Sequence, residues 1–271
     1  MTGFAEPSVT RLALTLSYDG SRFAGWQTQP SRDAVQDCVE AALRVVAGEP
    51  IATICAGRTD AGVHALRQVI HFDTAAARPL SAWVRGVNSH LPEGVAVRAA
   101  QTVAPDFHAR FGALRRRYRY LLHVSPVRHP LLAGRAGWSF RDVDTERMSE
   151  AAALLMGEHD FSAFRSSQCQ AASPVRRLEE LGIERNGALV SFCVTGNAFL
   201  HHMVRNIVGL LVMIGTGRRE PAWAAQVLAG RDRRVAAPTF DAAGLYLEGV
   251  QYDASHQLPS WGGSLATEWL A

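Results

Sequence analysis

The sequence contains no lysine; all 28 of its basic residues are arginine. That absence excludes chemistry built on a lysine amine: Schiff bases, pyridoxal phosphate attachment, the P-loop phosphate grip and Ser–Lys dyads. Arginine is the better bidentate partner for phosphate and the better stacker on aromatic planes. A GC-rich codon bias would also replace lysine by arginine, and the exclusions hold in either case. Cysteine is scarce as well. Cys38, Cys55, Cys169 and Cys193 are scattered without a CxxC pair, which fits free or buried thiols in a reducing cytoplasm rather than a disulfide frame or a zinc site. The longest apolar run, Ile207 to Ile214, is far too short to span a bilayer. No basic, apolar, small-residue sequence opens the chain, so no secretory signal is read; the expectation is a cytoplasmic protein without a membrane.

What is present is ordinary in bulk. The 271 residues are 48% apolar and 20% charged, enough for one large core or two modest domains. The net charge is only +3, so nucleic-acid binding has to come from local clustering of arginines. The first half alternates: a strand at Arg11–Tyr18, an amphipathic helix at Asp33–Ala47 closed by Gly48, strands at Ile51–Ala56 and Gln68–Asp73, a short helix at Leu80–His90 and a strand at Val95–Val103. The second half repeats the order. It has a strand at Leu114–Val124, a helix at Asp144–Met156, and a hairpin of Leu178–Glu184 and Leu189–Thr195 across Asn186-Gly187. A helix at Phe199–Ile214 and a strand at Leu245–Tyr252 complete it. Period-two and period-3.6 apolar patterns carry these assignments, and Asn-Gly is a strong hairpin signal. Each half reads β-α-β-β-α-β. The expected fold class is α+β: two ferredoxin-like units of mostly antiparallel sheet packed about a central cleft, divided into residues 1–107 and 108–271.

One short stretch stands out. AGRTDAGVHA, residues 56 to 65, places Asp60 in a glycine-bounded bend two residues after Arg58. A plain hairpin turn explains Asp and Gly there; a carboxylate presented for chemistry explains them too. Three other features bear on the choice. In FLHHMVRNIVGLLVMI, Arg205 lies on a helix that is apolar around nearly its whole circumference. It either snorkels from the helix start or holds a carboxylate, Asp60 being one candidate. RRRYRYLLH puts Arg115, Arg117 and Arg119 on one strand face and Arg116, Tyr118 and Tyr120 on the other. That pattern suits either a solvated basic edge or stacking of bases among guanidiniums. Arg58, Arg78, Arg110 and Arg165 lie on loops, with FHARF (Phe107, His108, Arg110, Phe111) and the polar loop FRSSQCQAAS (Gln168, Gln170), as candidates to line a groove. His201 and His202 are adjacent, but adjacent helical residues diverge and no HExxH or Cys/His deaminase signature is present.

GRTDAGVHA, RxYxY at Arg116–Tyr120, HDFSAF at His159–Phe164 and FLHHMVR at Phe199–Arg205 occur together and in that order. The combination resembles the TruA family of tRNA pseudouridine synthases over about residues 10 to 252. The resemblance implies isomerisation of uridines 38, 39 and 40 in the tRNA anticodon arm, by a homodimer, with no cofactor and no metal. It assigns Asp60 as the catalytic aspartate, Tyr118 as the ring that stacks on the target base, and Arg205 as the arginine that supports the aspartate. Arg58 and His202 fall at the substrate, and Arg58, Arg78, Phe107, His108, Arg110, Phe111, Arg165, Gln168 and Gln170 are the expected tRNA contacts. The rival reading, a non-catalytic RNA-binding protein of two such modules, predicts an aromatic-rich RNP1 strand. QVIHFDT and LVSFCVT lack one.

Overall fold

A computed structural model describes residues 9–261. It divides into two compact units, Met1–Leu114 with Gly249–Ala271, and Arg115–Glu248. The expected boundary after residue 107 does not coincide with this division. The FHARF segment belongs wholly to the first unit, and the chain returns to that unit at Gly249.

The first unit contains β1 (Thr10–Tyr18), α1 (Val35–Ala47), β2 (Ile54–Cys55), β3 (His64–Thr74), a helical stretch over residues 80–88 and β4 (Val95–Thr102). β1 pairs antiparallel with β3 and with β4, and β2 pairs antiparallel with β3. The order β4-β1-β3-β2 is that of a ferredoxin-like sheet. α1 buries Val35, Val39, Ala42, Leu43 and Ala47, the 3.6-residue stripe its sequence carries. Asp37 Oδ2 accepts from the Ala34 N–H at 3.3 Å at its start, and the left-handed Gly48 closes it. The strand expected at Ile51–Ala56 shrinks to two residues. The 80–88 stretch contains a π-helical turn at Ala82–Gly86, whose Trp83 is buried edge-on against Phe72, 5.4 Å between centroids.

The second unit contains β5 (Arg115–Val124), β6 (Gly137–Ser139), α2 (Thr145–Ala153), β7 (Gly157–Asp160), β8 (Val175–Asn186), β9 (Leu189–Gly196), α3 (Met203–Gly215) and α4 (Trp223–Gly230). The start of β10 (Leu245–Gln251) completes it. β5 pairs antiparallel with β9, β9 with β8, and β8 with β7. The order β10-β5-β9-β8 again follows the ferredoxin pattern, with β7 beyond it and β6 parallel to β5. β6, β7 and α4 are additions that the repeated pattern does not contain. The hairpin turns across Gly187-Ala188, because Asn186 pairs with Leu189 as the last rung of the ladder. α3 begins at Met203 rather than Phe199: His202 has φ +66° and ends the preceding turn, a conformation a non-glycine residue adopts only where its surroundings impose it. Among the described residues no helix is long and apolar enough to cross a membrane.

Candidate active site

Asp60 sits between β2 and β3 at the start of a tight turn. The Val63 N–H donates to the Asp60 carbonyl at 3.1 Å. Gly62, the third residue of that turn, has φ +79°, which is the value a type II turn demands there and the reason glycine occupies it. The backbone leading into the turn is tied down residue by residue. Gln68 Nε2 donates to the Gly57 carbonyl at 2.6 Å. The Trp26 N–H donates to the Thr59 carbonyl at 3.0 Å. The Thr59 hydroxyl lies 2.8 Å from that of Tyr18, both buried. Gly25, at φ +97°, packs so closely that a Cβ there would sit 2.7 Å from the Thr59 oxygen. Between these anchors Arg58 is exposed and Asp60 half-buried. Burial pushes the Cys55 thiol up to about 12 despite the opposing charge of Arg58, so it stays protonated at neutral pH.

In the second unit, Tyr118 is buried on β5 with its ring edge-on to Phe199, centroids 5.1 Å apart at 83°. Arg205 lies in the first turn of α3, and its Nε donates to the Phe240 carbonyl at 2.9 Å. The Phe240 N–H donates in return to the Arg205 carbonyl at 3.2 Å. The neighbouring Asn206 is fully buried. Its amide donates to the Phe164 carbonyl at 2.7 Å and its oxygen accepts from Thr239 Oγ1 at 2.7 Å and from Arg233 at 3.1 Å. These bonds tie the 237–240 segment to α3 beside Arg205. Sequence reasoning did not single out Asn206, although it adjoins the motif arginine. His202 caps α3 with its ring 4.0 Å from that of His201.

The expected RNA contacts separate into distinct environments. Arg58, Arg78, Arg110, Phe111, Gln168 and Gln170 are exposed. Arg78 Nε donates to the Val46 carbonyl at 3.2 Å, and the Arg110 guanidinium lies 5.5 Å from the Phe111 ring centroid. Arg165 is turned into its own loop, donating to the Cys169 and Ala171 carbonyls at 2.6 and 2.8 Å. His108 Nδ1 accepts from the Arg110 and Phe111 N–H groups. Phe107 is a core residue, 1% exposed against 77% for Phe111, packed on His71, Tyr252 and His256.

The arginine stripe of β5 is paired with carboxylates. Arg115 bonds Glu179, Arg117 reaches Glu180 at 2.8 Å and Glu248 at 3.6 Å, and Arg119 reaches Glu248 at 3.0 Å. Consecutive residues of a regular strand face opposite ways. Here the β8–β9 register shifts between Leu178 and Glu180, and that bulge lets Glu179 and Glu180 both reach the arginine face.

One ferredoxin-like unit thus carries an aspartate on a pinned turn, and the other a buried tyrosine and a helix-borne arginine. A family profile described as tRNA pseudouridine synthase matches residues 15–112 and 151–253. The chain therefore belongs to the tRNA pseudouridine synthase family and is an isomerase acting on tRNA. Curated proteins named tRNA pseudouridine synthase A are similar over nearly their whole length. One from Herminiimonas arsenicoxydans is 54% identical over 265 residues, 96% of each chain. One from Bordetella petrii is 56% identical over 256 residues, covering 94% of this chain and 96% of the relative. One from Neisseria meningitidis serogroup C is 54% identical over 257 residues, covering 93% and 97%. A solved archaeal box H/ACA sRNP Nop10–Cbf5 complex aligns with a TM-score of 0.38 at 12% identity, over 87% of this chain and 47% of that one. That likeness is too remote to carry an argument.

Proposed function

We propose that this chain converts uridine to pseudouridine at positions 38, 39 and 40 of the tRNA anticodon stem-loop, with Asp60 as the catalytic nucleophile acting on a flipped-out uridine. The observation that carries the reading is the turn itself. An aspartate stands at the head of a type II turn whose backbone is anchored at Gly57, at Thr59 and at its own carbonyl. A carboxylate on so constrained a main chain meets the demand that a reacting group be held in place before the substrate arrives.

The reaction explains the residue types. The C1′–N1 bond breaks, C5 bonds to C1′, the proton on C5 is lost and N1 gains one. All atoms of the nucleoside are kept and nothing is oxidised. A carboxylate anion suits attack on an electron-poor sugar or base carbon. Turning the uridine out of its stack costs a few kcal/mol. A ring such as Tyr118 returns about 1–3 kcal/mol by stacking, and exposed arginines such as Arg58 and Arg110 offset the rest on phosphate. In this reading Arg205 supports the anionic aspartate, the enzyme works as a homodimer in the cytoplasm, and no cofactor takes part. These assignments come from the family likeness.

Asp60→Asn is expected to bind tRNA and make no pseudouridine, read by chemical mapping of modified uridines in tRNA treated with pure protein. Normal activity in that variant overturns the nucleophile. Pseudouridine outside the anticodon arm overturns the position. Light scattering of the pure chain tests the dimer.

A further inference from the structure

The buried side chains around the Asp60 turn include three polar residues that the reaction scheme does not use. Tyr18 ends β1, Gln68 lies in β3, and Thr59 immediately precedes the aspartate; all three are buried. Gln68 Nε2 lies 3.4 Å from the Tyr18 hydroxyl, which lies 2.8 Å from Thr59 Oγ1. The same Nε2 donates to the Gly57 carbonyl at 2.6 Å. Gln68 donates to the phenol oxygen, and the Tyr18 and Thr59 hydroxyls share a hydrogen bond in which either can be the donor.

Burying such groups stabilises little. A hydrogen-bonded polar trio is worth about as much as an apolar trio of the same shape, and costs more when half made. What apolar packing cannot supply is direction. Here the bonds fix alternate residues of one short segment: Gly57 at its carbonyl, and Thr59 at both carbonyl and hydroxyl. Arg58 is thereby turned outward, and the position of Asp60 is set by the residue before it.

We propose that Tyr18, Gln68 and Thr59 form a positioning relay that sets the attack geometry of Asp60, with the Tyr18–Thr59 hydroxyl contact as its last link. The proposal rests on Asp60 being the catalytic carboxylate. Because a misplacement of about 1 Å at a reacting group can cost about 100-fold in rate, loss of the link is read in the chemical step and not in tRNA affinity.

The test is a double-variant cycle in the full chain, measuring single-turnover pseudouridine formation and tRNA Kd separately. Tyr18→Phe and Thr59→Val each keep the shape and remove one hydroxyl. Each is expected to slow the chemical step by about 10-fold or more while Kd stays within about 2-fold. The double variant is expected to be no slower than the slower single, and Thr59→Ser, which keeps the hydroxyl, to restore the rate. Should Thr59→Val not fold, Tyr18→Phe with Gln68→Met tests the adjoining link of the same relay, where the double variant is again expected to be no slower than the slower single. A wild-type rate in Tyr18→Phe, multiplicative losses in the double variant, or losses confined to Kd would each overturn the relay. Asp60→Asn run in parallel keeps the two ideas apart. Full activity there sinks the catalytic assignment, whereas an inactive Asp60→Asn beside a full-rate Tyr18→Phe sinks the relay alone.

Discussion

Glu248 Oε1 lies 3.0 Å from the Arg119 guanidinium, and that carboxylate is only 3% exposed. Its other oxygen lies 3.6 Å from Arg117, so one buried anion serves two cations. Glu248→Gln keeps the shape and removes the charge, stranding Arg119. A loss of about 3–5 kcal/mol of stability is expected, measured by urea unfolding. The double variant Glu248→Leu/Arg119→Met is expected to recover most of it.

Gly25→Ala places a methyl group 2.7 Å from the Thr59 carbonyl oxygen at a residue with φ +97°. Neither the backbone conformation nor the space suits it. The expected result is a destabilisation of about 1–3 kcal/mol, together with a fall in pseudouridine formation larger than that of a Gly48→Ala control. At Gly48 a Cβ meets nothing within 4 Å, although its φ of +77° carries its own strain.

His71 gives the fold a pH dependence of definite sign. Burial, followed by the positive charges of Arg11 and His108, holds it down to about 4, and its Nδ1 accepts the Ala109 N–H at 3.1 Å. The folded state thus keeps it neutral while the unfolded chain takes up a proton near pH 6.5. Its contribution is fully present above pH 6.5, is lost progressively as pH falls towards 4, and is flat below. The total is at most about 3 kcal/mol. Unfolding midpoints across that window are expected to slope in the wild type and to flatten in His71→Asn.

Asn206→Ala removes an acceptor shared by Thr239 and Arg233 and a donor to the Phe164 carbonyl. A loss of about 1–3 kcal/mol is expected from the buried groups left unpaired. Pseudouridine formation is expected to fall further than stability does, because the 237–240 segment carries the carbonyl that orients Arg205.

Short-range chemistry was legible in the sequence. The Asp60 turn, the stripe of α1 and the Gly48 stop all follow from residues within a few positions of one another, and the repeated element order is present in both units. Long-range pairing was not. Nothing near RRRYRYLLH announces that Glu179, Glu180 and Glu248 arrive from two other strands, one through a bulge. FHARF reads as two equivalent aromatics, yet Phe107 meets Tyr252 and His256 from the far end of the chain while Phe111 meets solvent. The start of α3 was misplaced because apolar periodicity runs on through residues 199–202, whereas the backbone reverses at His202. The short strands β6 and β7 are too brief for any period to show.

The return of the chain to its first unit at Gly249 has a consequence for biosynthesis. Leu114 N–H donates to the Gln251 carbonyl at 2.8 Å, the Tyr252 hydroxyl to the Ala109 carbonyl at 2.7 Å, and Gln101 to the His256 carbonyl at 2.7 Å. None of these bonds can form until residues 251–256 have been translated. The first unit is therefore discontinuous along the sequence, and its early-translated part waits for the segment from Gly249 before its hydrogen bonding is complete.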